Sequence, residues 1–142
     1  MWILDTDVIV AAIRSRTGAS AQIVRKVLRG EVEIGLSVAL VLEYEAVSTR
    51  AEHLAASTRS ESEVLQLIDA LAFRAKALES YFRWRPQLRD ADDEMVLEAA
   101  VNAGASAIIT FNRKDFGVAY GEAYGFKMDV NLRIQVEGIK AD

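Results

Sequence analysis

Acidic side chains stand where several predicted strands end and where one predicted helix begins. Asp5 and Asp7 follow a short apolar strand, Asp93 lies in the first turn of a later helix, and Asp115 closes a polar segment after another strand. Ligands of an open parallel sheet bind outside the carboxyl ends of its strands, so these acids are candidates for one site. Carboxylates held close together repel one another and need a cation to stay ionised.

Glu43 is the most informative of these acids, because on a helix it lies near the apolar residues Leu40 and Val47. No basic residue lies within one helical turn of Glu43, and an ionised carboxylate beside an apolar stripe is costly without a cation or a strong donor. Oxygen ligands without His or Cys favour Mg²⁺ or Mn²⁺. The chemistry expected of such a site is phosphodiester hydrolysis by metal-activated water, although the spacing alone names no substrate.

The composition excludes several other kinds of site. The 142 residues include no Cys and one His, His53, which excludes a disulfide framework, a thiolate zinc site and a mechanism with two imidazoles. We expect His53 to be solvated. The net charge of −4 argues against nucleic acid only at first sight, because four carboxylates at one metal site would account for it. With no signal-peptide pattern and no apolar run near the roughly 18 residues of a membrane span, we expect one cytoplasmic domain over residues 1–142.

Strand and helix patterns alternate along the chain. Predicted strands lie at Met1–Leu4, Val32–Leu36, Glu79–Trp84, Ala107–Thr110 and Phe126–Val130. Helices are predicted to begin near Val8, at a Ser20 cap, after a Ser37 cap, after the Ser60–Glu63 capping box and at Ala91. This order predicts an α/β fold, a three-layer α/β/α sandwich around a central parallel sheet of four to five strands.

Four segments in order carry a resemblance to a known family. They are Asp5-Thr6-Asp7-Val8, Leu42-Glu43-Tyr44, Arg89-Asp90-Ala91-Asp92-Asp93 and Ala107-Ile108-Ile109-Thr110-Phe111-Asn112-Arg113-Lys114-Asp115-Phe116. With them the chain resembles the PIN-domain family of metal-dependent ribonucleases over residues 1 to about 117, and especially its VapC-like toxins. Each segment alone is weak evidence for the family, because such short motifs recur by chance. The order and separation of all four make the resemblance specific.

The resemblance implies a ligand set and its supporting residues. The catalytic ligands of one or two Mg²⁺ or Mn²⁺ ions would be Asp5, Glu43, Asp93 and Asp115. Residues that would orient these ligands or a water are Thr6, Asp7, Asp90, Thr110 and Asn112. The family usually has Asn where this chain has Asp7, and the segment 118–142 departs from the family's usual ending.

The activity expected from these residues is that of an endoribonuclease leaving 5′-phosphate and 3′-hydroxyl ends, because a lone His disfavours attack by the RNA's own 2′-hydroxyl. Loop cations that could hold RNA phosphates are Arg14, Arg16, Arg113 and Lys114. By resemblance, the protein would be the toxin of a type II toxin–antitoxin pair. Its partners would be RNA, a cognate antitoxin protein and a second copy of the chain, with no membrane involved.

Two other functions fit parts of the pattern. One is a PIN-like module that binds RNA or protein without cutting, and the other is a receiver-like phospho-acceptor domain. A receiver domain requires an Asp after its third strand and a Lys after its fifth, and the sequence supplies neither. Structural roles also exist for single acids, since Asp5 could cap a helix, and Asp92 and Asp93 would be favoured by a helix dipole.

Overall fold

The computed structural model describes residues 1–79 and 91–112, with the side chains of residues 91–94 excluded. Four strands and six helices lie within these ranges. In chain order they are β1 (Trp2–Leu4), α1 (Thr6–Arg14), α2 (Ala19–Leu28), β2 (Gly35–Ser37), α3 (Val38–Ser48), α4 (Ala51–Ser57), α5 (Glu61–Arg74), β3 (Lys76–Leu78), α6 (Ala91–Ala103) and β4 (Ala107–Ile109). The chain therefore has an α/β fold, with short parallel strands among a larger amount of helix.

The strands form two parallel pairs that meet at a single bridge. β1 pairs with β4, with Leu4 opposite Ile109, and β2 pairs with β3. An isolated parallel bridge between Trp2 and Ile34 connects the two pairs. Because β1 and β4 run in the same direction and in this register, the residues that follow them, Asp5 and Thr110, emerge side by side. The larger sheet of four to five strands stays a prediction.

Side-chain caps explain where several helices begin. Asp5 accepts a hydrogen bond from the Thr6 backbone N–H at the start of α1, and Ser37 accepts one from Leu40 at the start of α3. Ser60 and Glu63 form the predicted capping box of α5. The predicted Ser20 cap of α2 is wrong, because the N-cap is Gly18, two residues earlier, and Ser20 is buried inside the helix.

The core is built from the strands and from the inner faces of the helices around them. The largest fully buried side chains are Tyr44, Ile3, Leu4, Ile9, Ile13, Ile23, Ile34, Leu40, Ile68, Leu71 and Leu97. Burial of each aliphatic side chain of this size contributes about 1.5–3 kcal/mol. This core fixes the strand ends and the start of α1, where the acidic residues lie.

Two elements differ from the sequence prediction. Helix α4 was not predicted, because it has no apolar stripe, and its Ala-rich sequence forms a helix by intrinsic propensity. The strand β3 at Lys76–Leu78 was not predicted, and Lys76 donates its backbone N–H to the Ile34 carbonyl there. The strand predicted at Glu79–Trp84 stays a prediction beyond Glu79, which lies outside any strand. Residues 80–84 and the strand predicted at 126–130 lie outside the described residues. Within residues 1–79 and 91–112, no helix is long and apolar enough to cross a membrane.

Candidate active site

Asp5 occupies the position directly after β1 and is 5% exposed. One of its carboxylate oxygens, Oδ1, accepts a hydrogen bond of 2.7 Å from the Thr6 backbone N–H. The other, Oδ2, accepts a hydrogen bond of 2.7 Å from the Thr110 hydroxyl, which follows β4. The parallel pairing of β1 with β4 therefore fixes the Asp5 carboxylate from both strands.

Asp7 lies in the first turn of α1, and its carboxylate reaches the same hydroxyl. Its Oδ2 accepts a hydrogen bond from the Phe111 backbone N–H at 3.0 Å and lies 3.4 Å from the Thr110 hydroxyl, whose one proton it shares with the nearer Asp5 oxygen. Its Oδ1 is buried and has no hydrogen-bond partner among the described residues. The Thr110 oxygen in turn accepts the Asn112 backbone N–H at 2.9 Å. Thr110 thus bridges the two carboxylates, and its role in orienting metal ligands stays a prediction.

The proximity of these carboxylates has an electrostatic consequence for Asp7. Burial, and then the negative charge of Asp5, raise the pKa of Asp7 to about 7. The hydrogen bonds from Phe111 and Thr110 oppose this rise because they favour the ionised form. A partly desolvated pair of oxygen donors, one with an unused buried oxygen, fits a hard divalent cation such as Mg²⁺ or Mn²⁺.

Glu43 reaches this region from the middle of α3. The neighbouring residue Tyr44 is fully buried, and its hydroxyl donates a hydrogen bond to the Leu4 carbonyl oxygen at the end of β1. Burial, followed by the charges of Asp5 and Asp7, raises the pKa of Tyr44, so the phenol stays protonated and remains a donor. This hydrogen bond holds α3 against the end of β1, and Glu43 lines the same pocket as the two aspartates. No local signal in the sequence predicted this contact of Tyr44.

A pocket of about 440 Å³ connects these groups. It is lined by Asp5, Thr6, Asp7, Val10, Ala11, Arg14, Glu43, Val47, Arg50, His53 and Asn112. Three carboxylates and three basic side chains therefore share one cavity whose lining surface is mostly apolar. A cavity of this size and composition is typical of a binding site for a small or extended ligand.

His53 and Arg50 are site residues that the sequence interpretation missed. The expectation that His53 is solvated is wrong, because α4 places it in the pocket with its side chain 14% exposed. A signal was present, since Glu43, Val47 and Arg50 follow the i, i+4, i+7 spacing of one helix face. Without a prediction of α4 the sequence offered no reason to extend that face to His53.

The structure brings together most of the predicted site residues that it describes. Asp5, Thr6, Asp7, Arg14, Glu43 and Asn112 line the pocket, and Thr110 bonds to both aspartates. Arg16 is exposed outside the pocket, and its carbonyl accepts a hydrogen bond from the Arg25 guanidinium. The remaining predicted residues lie outside the described part, which excludes Asp90, the Asp93 side chain, Arg113, Lys114 and Asp115.

The described residues do not by themselves complete a metal site. Within residues 1–79 and 91–112, no three acidic or histidine side chains are close enough together to hold an ion. The predicted ligand set draws two of its four members, Asp93 and Asp115, from outside the described side chains. The role of Asp5 and Glu43 as ligands therefore stays a prediction, supported by the chemistry of the Asp5–Asp7 pair.

Comparison with known proteins assigns the chain to a family. A family model described as the PIN domain matches residues 2–114, which is most of the chain. No curated protein and no solved structure matches it significantly. Domains of this family are generally nucleases that use divalent metal ions, and the match sets aside the receiver-domain alternative. The site residues Asp5, Asp7, Glu43 and Thr110 all lie within the matched range. The chain therefore belongs to the PIN-domain family.

Proposed function

We propose that this protein is an endoribonuclease that depends on Mg²⁺ or Mn²⁺ and hydrolyses RNA phosphodiester bonds. The observation that carries the proposal is the Thr110 hydroxyl bonded to both Asp5 and Asp7 in a pocket that Glu43 also lines. Such a pairing of buried carboxylates is destabilising unless a positive charge offsets it. Nuclease chemistry is the general activity of the family, and the substrate and the metal are our inference.

The residues proposed to hold the metal are Asp5, Glu43, Asp93 and Asp115. When bound, the ion would supply positive charge to the scissile phosphate and activate a water for in-line attack. The chain's own residues have separate tasks. Thr110 holds one oxygen of Asp5 and one of Asp7 in place, and Tyr44 fixes the helix that carries Glu43. Preorganised ligands lower the cost of arranging the site at the moment of reaction.

The proposed products carry 5′-phosphate and 3′-hydroxyl ends. A single imidazole, His53, does not provide the acid–base pair with which a ribonuclease uses the 2′-hydroxyl as nucleophile. The test is cleavage of a single-stranded RNA with Mg²⁺, with Mn²⁺ and with EDTA, followed by sequencing of the product ends. Ends with 2′,3′-cyclic phosphate would contradict hydrolysis by water.

The matched variants for this test are Asp5→Asn and Asp69→Asn. Asp5 is buried at the site, whereas Asp69 is an exposed residue of α5. We expect Asp5→Asn to abolish cleavage and Asp69→Asn to keep the full rate. RNA binding without cleavage at every metal condition would instead identify a non-catalytic PIN-like binding module.

We further propose that the protein is a cytoplasmic toxin of a type II toxin–antitoxin pair and forms a homodimer. Its support is the resemblance to VapC-like toxins, together with Val38 and Leu42, one turn apart on α3 and 75% and 59% exposed. Exposed apolar side chains on one helix face favour a protein partner. Induced expression should arrest bacterial growth, and Asp5→Asn should relieve the arrest. Growth unaffected by an active enzyme would overturn the toxin proposal while leaving the nuclease intact.

A further inference from the structure

The pocket that contains the carboxylates also contains a cluster of basic side chains. Arg14 from the end of α1, Arg50 from the start of α4 and His53 from α4 all line it. Both guanidinium-bearing residues are exposed. We call Arg14, Arg50 and His53 the basic end of the pocket. The cations Arg14 and Arg50 cannot be ligands of a divalent ion held by carboxylates, so they require a different explanation.

The two ends of the pocket are separated along the helices that form it. Asp7, Val10, Ala11 and Arg14 follow the spacing i, i+3, i+4, i+7 and so share one face of α1. With 1.5 Å of rise per residue, the backbone positions of Asp7 and Arg14 lie about 10 Å apart. The acidic side chain comes first and the basic side chain last.

The second wall of the pocket repeats this order. Glu43 and Val47 lie on α3, and Arg50 follows the end of that helix. The Tyr44 hydrogen bond to Leu4 holds Glu43 at the acidic end, and the contact of Arg14 with His53 closes the other end. Both walls therefore change from negative to positive in the same direction, which produces a cavity with two chemically distinct ends.

His53 orients one of the two arginines. The Arg14 Nη1 atom lies 3.4 Å from His53 Nδ1. Arginine can only donate, so Nδ1 must be the acceptor and the imidazole proton must lie on Nε2. Nε2 is 3.6 Å from a carboxylate oxygen of Glu52, which favours this tautomer. His53 is thus a positioning residue, since it acts through Arg14.

We propose that Arg14 and Arg50 bind a phosphate of the substrate strand that is not the phosphate being cut. The inference rests on the proposed function, in which the scissile phosphate lies at the acidic end. Successive phosphates of a stacked strand advance 3.4 Å along its axis, so a distance of about 10 Å places the second phosphate within roughly three nucleotides of the cut. The substrate class is then a continuous strand that runs through the pocket, and a dinucleotide would be a poor substrate.

The test removes single charges from the substrate and from the protein. A single-stranded RNA whose cut position has been mapped is prepared with one neutral methylphosphonate at each of the three phosphates on either side of the cut. Each modified nucleotide carries a 2′-O-methyl group, and the same 2′-O-methyl RNA with an ordinary phosphate is the reference. The kcat/KM of every substrate is measured for the parent protein, for Arg50→Ala and for Arg29→Ala. Arg29 is the matched control, because it is exposed, pairs with Glu31 and lies outside the pocket.

At one position the methylphosphonate should lower kcat/KM of the parent about tenfold, the size of a lost charge-assisted contact. Arg50→Ala should show a loss on the unmodified RNA, and the methylphosphonate at that position should cost it less than it costs the parent, because only Arg14 then remains to contact the phosphate. Arg29→Ala should behave as the parent does. If the methylphosphonate lowers kcat/KM by the same factor in Arg50→Ala as in the parent at every position, the inference is overturned, while the nuclease assignment stands. A parent protein that cuts no RNA with either metal would overturn both.

A pair of His53 variants tests the positioning role. His53→Asn keeps an acceptor near the Nδ1 position, whereas His53→Leu removes it. We expect His53→Leu to weaken the discrimination between phosphate and methylphosphonate at the identified position, and His53→Asn to restore most of it. Equal discrimination in the parent and in both variants would show that Arg14 does not depend on His53.

Discussion

The hydroxyl of Tyr44 donates a hydrogen bond to the carbonyl oxygen of Leu4, a residue 40 positions earlier in the chain. Leu4 is the last residue of β1 and directly precedes Asp5, and Tyr44 directly follows Glu43. One hydrogen bond between two non-catalytic residues therefore sets the spacing between two proposed metal ligands. Both partners are fully buried, so water cannot replace either of them.

Replacement of this hydroxyl should weaken both stability and activity. Tyr44→Phe keeps the ring and removes the donor, and we expect a loss of about 1–3 kcal/mol in the free energy of unfolding, measured by urea denaturation. Because α3 is then less firmly held, RNA cleavage should fall even where the variant is fully folded. Full activity in the folded variant would show that Glu43 does not depend on the Tyr44 hydrogen bond.

The raised pKa of Asp7 makes stability depend on pH. The folded protein holds this proton up to about pH 7, whereas the unfolded chain releases it near pH 4. The contribution of Asp7 is therefore most favourable below pH 4 and is lost as the pH rises to about 7. Asp7→Asn should remove this loss and be more stable than the parent at pH 8 in the absence of metal.

The measurement is the free energy of unfolding of both proteins from pH 4 to pH 8 in EDTA. Asp69→Asn, which changes an exposed acid on α5, is the control and should follow the parent curve. Parallel curves for Asp7→Asn and the parent would mean that Asp7 ionises normally in the folded protein.

Thr110 should be needed as a donor and not only as a packing residue. Thr110→Val keeps the shape of the side chain but takes a hydrogen bond from both Asp5 and Asp7, and it leaves the Asn112 N–H without that acceptor. We expect a loss of about 1–3 kcal/mol in urea denaturation at pH 8. Thr110→Ser retains the hydroxyl and should lose less. Equal stability of the Val and Ser variants would argue against the bridge.

Divalent metal should stabilise the parent protein. An ion that binds only the folded state adds about 2.7 kcal/mol at a hundred times its Kd, so Mg²⁺ or Mn²⁺ should raise Tm in a thermal melt. Asp5→Asn should abolish the rise, whereas Asp69→Asn should retain it. In EDTA we expect Asp5→Asn to melt no lower than the parent, because the repulsion between Asp5 and Asp7 is gone. A Tm that does not respond to either ion would remove the support for a metal at these carboxylates.

Local signals in the sequence were sufficient to predict where β1 and β4 end and where most of the helices begin. Short apolar runs predicted β1 and β4, and the Ser37 and Ser60 caps placed α3 and α5, because these features depend on neighbouring residues alone. The family match over residues 2–114 confirms the resemblance that rested on those strand ends. The sequence also predicts that Asp5, Asp7 and Glu43 belong to one site, and all three line one pocket.

Features that depend on tertiary contacts were not predictable in this way. Helix α4 has no periodic apolar face, and so its His53 could not be assigned to a pocket formed with α1. β3 is a mostly exposed strand of three residues without the continuous apolar run that predicted β1 and β4. The Tyr44 hydrogen bond could not be predicted from the sequence. A tyrosine on the apolar face of a helix packs as other large side chains do, and the sequence does not indicate the partner of its hydroxyl.

The bond between Asp5 and Thr110 joins residues 105 positions apart. During translation the ribosome synthesises the first aspartate long before the threonine that orients it. A growing chain that has already folded β1 and α1 lacks β4, and so it lacks the hydroxyl that sets the two carboxylates. Under the proposed function, a nascent chain that ends before Thr110 therefore lacks the hydroxyl that orients the site, and the nuclease site would be completed only late in synthesis.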